Sequence, residues 1–315
     1  MPRSFTFPSD GIDCHAWHFP AADDRFATAA GRPAVVMAHG FAATKDCGLE
    51  SFARPLADGG LDVIAFDYRG FGSSGGERQI VSPAGQIDDY RAALRAAAQL
   101  PGIDRERLVL WGVSMAGGTV LAVAAGRTDL VATIALTPLV TSLSREQQPT
   151  LPADPRTSDT AGRRGSTTAR LLMHAARDKY AARAHKRRVM LPAVGRPDEV
   201  ALLNLPGVYD DYLSIVGPTW RNEVNAASAL DMLGHRPIRF AQQIPCPALF
   251  QIADHDRCVP VDAAMKAGVR ARAQIRHYRC DHFNVYPGKP WHDAVRDHQM
   301  RFLTNVLSRG DRATR

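Results

Sequence analysis

Few cysteines and the absence of a long apolar run exclude several classes of protein. The five cysteines of the 315 residues are Cys14, Cys47, Cys246, Cys258 and Cys280. Their number is odd and they lack the paired spacing of a zinc site, so we expect reduced thiols, no metal and no other cofactor. No apolar run approaches membrane-spanning length, and the first twenty residues contain no apolar signal core. We therefore expect a soluble cytoplasmic protein with no membrane partner.

Acidic residues are nearly missing from one segment. Residues 161–196 contain ten lysines and arginines but a single acid, Asp178, whereas the whole chain has a formal charge of +7. No aromatic residues are interleaved in the pattern of a nucleic-acid recognition motif, so a nucleic-acid partner is not expected. Two interpretations remain. The segment is either a solvated helix face, or an electropositive rim that attracts an anionic substrate such as a coenzyme A thioester or an acidic acyl carrier protein.

Strand-like apolar runs alternate with helical patterns along most of the chain, which predicts an α/β protein with a mostly parallel sheet of about eight strands. The predicted strands are residues 4–7, 14–19, 34–38, 62–66, 108–111, 131–136, 248–252 and 273–278. The predicted helices are residues 45–58, 82–100, 115–125, 261–269 and 292–307. The first two strands are expected to form an antiparallel hairpin. Because 45% of the residues are apolar, the chain can form one large core.

The alternation is interrupted once, after the sixth predicted strand. We expect residues 1–140 and 240–315 to form the core and residues 141–239 to form a helical lid. Within it, residues 142–168 have the composition of a mobile loop, residues 171–190 predict a basic helix, and residues 202–233 predict short helices. The predicted substrate-binding residues are Phe41 of the core and the lid aromatics Tyr209, Tyr212 and Trp220. The substrate pocket is expected between lid and core, and an exposed apolar lid face could form a homodimer.

A serine lies between glycines where a predicted strand meets a predicted helix. The junction reads Trp111-Gly112-Val113-Ser114-Met115-Ala116-Gly117-Gly118. Small residues two positions before and after Ser114 let the strand and helix approach closely, which predicts a nucleophile elbow with an exposed hydroxyl. Ala116 stands where the usual pattern has glycine, and its methyl group is expected to tighten the packing without changing the chemistry. The alternative is a buried serine in a glycine-rich turn.

A serine hydroxyl is a weak nucleophile and requires a base and an orienting acid. His282, which follows the last predicted strand, is the predicted base. The competing histidines are His277, His292 and His298. Asp256, which follows the preceding strand, is the predicted acid, and Asp254 is the alternative. The resulting chain order, Ser114, Asp256, His282, is the one expected of a serine at such an elbow.

The developing oxyanion requires hydrogen-bond donors. The backbone amide of Met115 begins the helix after the serine, and the amide of Phe41 lies in the loop after the third predicted strand. Gly40 permits the turn of that loop. We therefore predict an oxyanion hole formed by the amides of Phe41 and Met115.

Two cysteines are close in sequence to the predicted triad. Cys258 and Cys280 each lie two residues from a triad member, so their loops are expected to be neighbours. We expect two reduced thiols, with a regulatory disulfide as the alternative.

These motifs together resemble the α/β-hydrolase superfamily. Besides the elbow and the His39-Gly40-Phe41 loop, the chain contains Phe66-Asp67-Tyr68-Arg69-Gly70-Phe71-Gly72, which is similar to the family's glycine-rich loop after the fourth strand. More narrowly, the loop 42–46, the turn 75–77 and His282-Phe283 resemble the dienelactone-hydrolase-like and serine-aminopeptidase-like branch. That branch includes polyketide-associated thioesterases and acyltransferases, so the resemblance implies an α/β-hydrolase fold and acyl chemistry without choosing a substrate.

The predicted function is hydrolysis of a carboxylic ester or thioester through an acyl-enzyme. An acyltransferase with the same triad is the first alternative, and a peptidase would need an acidic patch near the pocket to bind a free amino terminus. A catalytically idle ligand-binding or carrier-binding module is the alternative from another class.

Overall fold

The structure, a computed structural model, describes residues 2–142 and 160–313, and in both parts the chain is organised around one sheet. The strands are β1 (Arg3–Ser9), β2 (Ile12–Phe19), β3 (Arg32–Ala38), β4 (Asp62–Phe66), β5 (Ile103–Val113), β6 (Leu130–Leu136), β7 (Met190–Leu191), β8 (Val224–Asn225), β9 (Ala248–Ala253) and β10 (Gln274–Tyr278). Eight of them form one sheet in the order β1-β2-β4-β3-β5-β6-β9-β10. Strands β4 to β10 of this order are parallel, and the predicted fold class is confirmed.

The first two strands form the predicted antiparallel hairpin. It closes through Asp10 and Gly11, both with positive φ (51° and 75°), as a two-residue turn that follows the right-handed twist of the strands requires. The hairpin then pairs with the parallel strands through an antiparallel β2–β4 contact. The apolar alternation predicted both strands, but each extends further than its apolar residues indicated.

Helices cover both faces of the sheet. The helices are α1 (Leu49–Asp58), α2 (Pro83–Ala97), α3 (Met115–Ala124), α4 (Thr160–Arg183), α5 (Val208–Leu213), α6 (Ser228–Leu233), α7 (Val261–Arg270) and α8 (His292–Ala313). Two 3₁₀ helices, Pro237–Gln243 and His282–Val285, were not predicted. In the part of the chain that the structure describes, no helix is both long enough and apolar enough to cross a membrane.

The first helix begins later than predicted. The expectation was residue 45, but α1 begins at Leu49, after Gly48 at φ 84°. A glycine is suited to this left-handed conformation, and a Cβ there would also lie 3.2 Å from the ring of Pro287. Lys45 is instead buried, and its side chain forms an ion pair with Asp67.

A buried tyrosine joins the two central strands that lead into the candidate site. Tyr90 of α2 accepts a hydrogen bond from the amide of Ala38 (3.1 Å) and donates one to the carbonyl oxygen of Trp111 (2.6 Å). Trp111 in turn donates from Nε1 to Gln299 of α8 (3.1 Å). Helices on both faces therefore fix the ends of β3 and β5 relative to each other.

The chain between β6 and β9 contains the only break in the strand–helix alternation of the described residues. We call residues 141–239 the insertion. It contains α4, α5, α6 and the antiparallel pair β7–β8. The predicted loop 142–168 falls mostly on residues 143–159, which lie outside the described residues, and α4 begins within it at Thr160.

The basic helix of the insertion ends earlier than predicted. It was expected to reach residue 190, but α4 ends at Arg183 and Met190 begins β7. The cause is Asp178, which is fully buried and accepts hydrogen bonds from Arg188 Nε (2.7 Å) and from the amide of Val189 (2.9 Å). Asp178, the single acid of the basic segment, therefore holds the chain that follows α4 against that helix.

Candidate active site

Ser114 occupies a strained turn between β5 and α3. Its backbone lies at φ 57° and ψ −119°, a conformation that costs a non-glycine residue of order 1–3 kcal/mol. The turn is held by hydrogen bonds from the Ser114 amide to the Leu136 carbonyl oxygen (2.8 Å) and from the Leu139 amide to the Ser114 carbonyl oxygen (2.9 Å). The strain is therefore sustained by the neighbouring strand β6 and the loop that follows it.

Two glycines lie where chain segments approach each other closely around Ser114. A Cβ at Gly112 would lie 2.3 Å from the carbonyl oxygen of Ala116, so strand and helix could not meet. A Cβ at Gly40 would lie 3.0 Å from the Ser114 Cβ. Ala116 itself is fully buried and its methyl group is accommodated. The small residues of the sequence motif around Ser114 therefore lie where strand β5 and helix α3 pack closely against each other.

Asp256 and His282 form a buried pair at the ends of β9 and β10. His282 Nδ1 and Asp256 Oδ2 are 2.6 Å apart, and both side chains are almost completely buried. The other carboxylate oxygen of Asp256 accepts hydrogen bonds from the amides of Cys258 (2.8 Å) and Val259 (2.9 Å). The loop after β9 therefore fixes the carboxylate, and the carboxylate fixes the imidazole ring.

The alternative acid and the competing histidines lie elsewhere. Asp254 Oδ1 is 2.7 Å from Nδ1 of His277, in a pair that is partly exposed to solvent. His292 Nδ1 contacts the carbonyl oxygen of Val285 (3.0 Å). His298 Nδ1 is 2.9 Å from the hydroxyl of Tyr278. Of these histidines, His282 alone faces the same cavity as Ser114.

The environment of His282 favours its protonated form. Burial acts to lower the pKa of this imidazole, but the charge of Asp256 and its hydrogen bond outweigh burial, and the pKa is raised above its ordinary value. Asp281 adds to this effect and Arg257 opposes it. A histidine with these neighbours is suited to accept a proton and to hold it during a reaction.

The loop that contains Phe41 is anchored by the insertion. Tyr212 of α5 donates a hydrogen bond to the Phe41 carbonyl oxygen (2.7 Å), and Trp220 Nε1 donates to the Ala42 carbonyl oxygen (3.0 Å). Asp46 accepts a hydrogen bond from the amide of Thr219 (2.9 Å). On the other side of Ser114, the amide of Met115 begins α3 and has no acceptor within its own helix.

The ordered loop also rests on a buried ion pair that the sequence analysis did not identify. Lys45 Nζ is 2.5 Å from Asp67 Oδ2, and the Lys45 amide donates to Asp67 Oδ1 (2.7 Å). The adjacent His39 is fully buried, which lowers the pKa of its imidazole. A lysine and an aspartate 22 residues apart carry no local signal of such a pair.

A cavity of about 290 Å³ lies between the insertion and the core. Its lining from the core includes Gly40, Phe41, Ser114, Cys258, Val259, His282 and Phe283. Its lining from the insertion includes Leu171, Leu202, Leu203, Tyr212, Ile215, Met232 and Leu233. Among the described residues, no carboxylate side chain lines this cavity. The cavity therefore suits an apolar group placed next to Ser114 and His282.

The aromatic residues predicted to bind substrate occupy different places. Phe41 and Tyr212 line the cavity, whereas Tyr209 and Trp220 lie outside its lining. The ring of Tyr209 stacks under the guanidinium of Arg196 (4.9 Å), and Trp220 packs on Tyr212 with ring centroids 5.4 Å apart.

Arg257, which the sequence analysis did not single out, joins the loops of Asp256 and His282. Its Nε donates to Asp281 Oδ2 (2.6 Å) and its amide donates to Asp281 Oδ1 (3.0 Å). Its terminal nitrogens donate to the Pro206 carbonyl oxygen and to Asp211 of α5. Asp281 also caps the 3₁₀ helix that contains His282. One guanidinium thus connects both loops to the insertion.

These features define an α/β hydrolase. The family model described as alpha/beta hydrolase fold matches residues 33–284, and the chain belongs to this family. The described sheet has the order and direction of strands that the resemblance implied. The family and the hydrolases among the relatives below identify the protein as an enzyme.

Three relatives show the range of the family. The quorum-quenching protein AidA of Acinetobacter baumannii (strain MDR-ZJ06) is 32% identical over 310 residues, which cover 97% of this chain and 95% of AidA. The thiohydrolase aneE of Aspergillus aculeatus is 40% identical over 119 residues, 38% of this chain and 37% of aneE. The polyketide transferase grgF of Penicillium sp is 30% identical over 152 residues, 47% of this chain and 49% of grgF.

One of these relatives also has a similar solved structure. The crystal structure of the alpha/beta hydrolase GrgF from Penicillium sp. sh18 superimposes with a TM-score of 0.76 and 21% identity, covering 98% of this chain and 99% of that chain. This likeness shows that the two chains share a fold over nearly their whole length.

Proposed function

We propose that the protein is a serine hydrolase that cleaves a carboxylic ester or thioester through an acyl-enzyme. The observation that carries the proposal is the meeting of Ser114, at its strained turn, with the buried Asp256–His282 pair at one apolar cavity. A serine, a histidine and a carboxylate in these roles activate a hydroxyl that is otherwise a weak nucleophile.

The reaction follows from these positions. His282 removes the proton of the Ser114 hydroxyl as Oγ attacks the acyl carbon, and Asp256 stabilises the imidazolium that forms. The amides of Phe41 and Met115 bind the oxyanion, and His282 returns the proton to the leaving alkoxide or thiolate. Water, deprotonated by His282, then attacks the acyl-enzyme, and Ser114 regains its proton as the carboxylic acid leaves.

The lining of the cavity supports an apolar acyl group. The insertion lines the cavity mainly with aliphatic side chains, and no Asp, Glu, Lys or Arg among the described residues lines it. A peptidase that binds a free amino terminus has less support, because it would need a carboxylate in this lining. The relative AidA is named for quorum quenching, so quorum-sensing signal molecules that contain an acyl bond belong in the substrate panel.

The test is a substrate panel measured on the wild type and on Ser114→Ala. Open-chain esters, cyclic esters and acyl thioesters of increasing chain length are compared by kcat/KM. We expect Ser114→Ala to reduce kcat by roughly 10⁴-fold or more, as removal of a triad nucleophile does. Ser4→Ala, at an exposed position of β1, is the matched control and should retain full activity. A Ser114→Ala variant with activity near that of the wild type would reject the proposal.

An acyltransferase with the same triad is the second candidate, and one observation favours it. Five cations of α4 and the residues after it are exposed and form no ion pair with another described residue. They are Arg170, Arg177, Arg183, Lys186 and Arg187. Leu171, next to the first of them, lines the cavity. This concentration of exposed positive charge suits an anionic acyl donor, such as a coenzyme A thioester or an acidic acyl carrier protein.

Hydrolysis and transfer are separated by competition. Added alcohols and amines are offered to the acyl-enzyme, and the ratio of ester or amide product to free acid is measured. A ratio that exceeds the molar ratio of nucleophile to water supports the transferase. For the anionic donor, the double variant Arg177→Glu, Arg183→Glu should raise KM for an acyl-coenzyme A and leave KM for a neutral thioester unchanged.

A further inference from the structure

Cys258 lies beside the two members of the buried pair. Asp256, Cys258 and His282 each offer one ligand atom, and these three atoms all lie within 4.8 Å of one another. The thiol and the imidazole both line the cavity, so the group can be reached from the same space as Ser114. It is the one group of three or more such side chains with this geometry in the part of the chain that the structure describes.

The chemistry of the three ligands matches a borderline-soft cation. A thiolate, an imidazole nitrogen and a carboxylate oxygen are the side-chain ligands that zinc prefers, at about 2.0–2.3 Å from the metal. Ligands at those lengths in a tetrahedral site are separated by roughly 3.3–3.8 Å. Because the three atoms are up to 4.8 Å apart, the loops must close by about 1.5 Å at most, and a water molecule from the cavity could complete the coordination.

The thiol is available for this role. The backbone amide of Cys258 supports Asp256 at 2.8 Å, whereas its side chain forms no hydrogen bond with another described residue. Burial, followed by the charge of Asp256, raises the pKa of this thiol, so in the absence of a metal it is protonated and inert. A cation would reverse this state because it stabilises the thiolate directly.

We propose that Asp256, Cys258 and His282 form an inhibitory binding site for zinc and the chemically similar cadmium ion. The cation binds the carboxylate, the thiolate and one imidazole nitrogen, and the thiol proton is released to solvent. Coordination through His282 Nε2 occupies the lone pair that accepts the Ser114 proton. Coordination through Nδ1 replaces the hydrogen bond to Asp256 and shifts the ring proton to Nε2, so that Nε2 has no free lone pair for the Ser114 proton. In either case the imidazole no longer serves as a base, and no bond of a substrate is involved.

The proposed inhibition rests on the proposed function, but the binding itself does not, so binding is measured first. Cadmium is titrated into Ser114→Ala protein, in which catalysis is already absent, and the ultraviolet cadmium–thiolate absorption is recorded. The same titration is made on two double variants. One combines Ser114→Ala with Cys258→Ala, and the other combines Ser114→Ala with Cys280→Ala. Cys280 is the matched control, because it is buried, lies two residues from His282 and is not part of the group.

We expect one saturable thiolate band of unit stoichiometry that Cys258→Ala abolishes and Cys280→Ala retains. Loss of a residue that only supports a metal ligand weakens metal binding by about 10-fold or more. Removal of Cys258, a direct ligand in this proposal, should therefore weaken cadmium binding by at least about 10-fold. The same band in the Cys258→Ala variant, or no saturable band in either background, would overturn the proposal.

Inhibition is then measured on the active enzyme, with each variant normalised to its own rate without metal. Zinc should inhibit the wild type and Cys280→Ala equally, and a chelator should restore the rate. Cys258→Ala should require at least about 10-fold more zinc for the same inhibition. Equal sensitivity of Cys258→Ala would overturn the inhibitory role. If the wild type lacks hydrolase activity, the proposed function fails while the cadmium titration still decides the site.

Discussion

The hydroxyl of Tyr212 donates a hydrogen bond to the carbonyl oxygen of Phe41, at 2.7 Å. Tyr212 belongs to α5 of the insertion, and Phe41 belongs to the loop proposed to bind the oxyanion. The neighbouring Trp220 donates to the next carbonyl oxygen, that of Ala42, whose φ of 53° is unusual for a residue with a side chain. The insertion therefore does more than line the cavity, because it also holds the loop that contains the proposed oxyanion donor.

Tyr212→Phe tests this role with the loss of one atom. The variant leaves the Phe41 carbonyl oxygen without its partner, at a cost of about 1–3 kcal/mol for a buried acceptor. We expect kcat to fall by roughly 10-fold or more while KM changes little, since the loop positions a donor used mainly in the transition state. Steady-state kinetics on an activated ester measures both constants.

The control for that variant is Tyr180→Phe, a change of the same chemistry at an exposed site of α4. It should leave kcat and KM unchanged. If Tyr212→Phe instead raised KM and left kcat intact, the hydroxyl would bind the substrate rather than position the loop.

Arg257→Lys is expected to loosen the loops of the acid and the base together. Lysine cannot contact Asp281, Asp211 and the Pro206 carbonyl oxygen at once, because it lacks the planar fork of arginine. We predict a loss of about 1–2 kcal/mol in the free energy of unfolding and a fall of roughly 10-fold in kcat/KM. Denaturant unfolding and kinetics measure the two effects, and Arg279→Lys, at an exposed position, is the control. Unchanged stability and activity in Arg257→Lys would contradict the bridging role.

The pH dependence of kcat/KM should report the raised pKa of His282. The imidazole must be neutral to accept the serine proton, so activity is full above this pKa and is lost as the pH falls through it. The acidic limb should therefore lie above the ordinary histidine value. Asp256→Asn removes the charge that raises the pKa, so burial then dominates and the limb should move to lower pH, with roughly 10⁴-fold lower kcat. A limb at the same pH in both proteins would show that another group titrates.

Ser114→Gly should stabilise the protein while it removes the reaction. Glycine adopts φ 57° without the steric cost that a side chain imposes, so the variant should gain about 1 kcal/mol of unfolding free energy. Ser114→Ala retains the Cβ and should show no such gain. Thermal and denaturant unfolding of both variants measure the difference. A Ser114→Gly protein no more stable than Ser114→Ala would argue that the turn is unstrained.

The sequence was sufficient where the physical requirement is local. Gly112, Ser114 and Met115 are adjacent in the chain, and a turn between a parallel strand and a helix needs small residues at fixed offsets. Asp256 and His282 could be predicted because the ends of neighbouring parallel strands meet at one edge of the sheet. The alternation of apolar runs with helical patterns placed those strand ends correctly.

The remaining features depend on contacts between distant parts of the chain. The Tyr212–Phe41 bond joins residues 171 positions apart, and the link from Arg257 to Asp211 spans 46. No periodicity or turn signal encodes such a pair, because each residue alone is compatible with a solvent-facing position. The same is true of Asp178, whose burial ended the basic helix before its predicted boundary.

The central claim, that Ser114 is an activated nucleophile, is tested most directly by intact-protein mass spectrometry after treatment with a fluorophosphonate. The account predicts one adduct on the wild type and none on folded Ser114→Ala or His282→Ala, because the serine must be present and its base must act. An adduct of equal yield on Ser114→Ala, or none on the folded wild type, would contradict it.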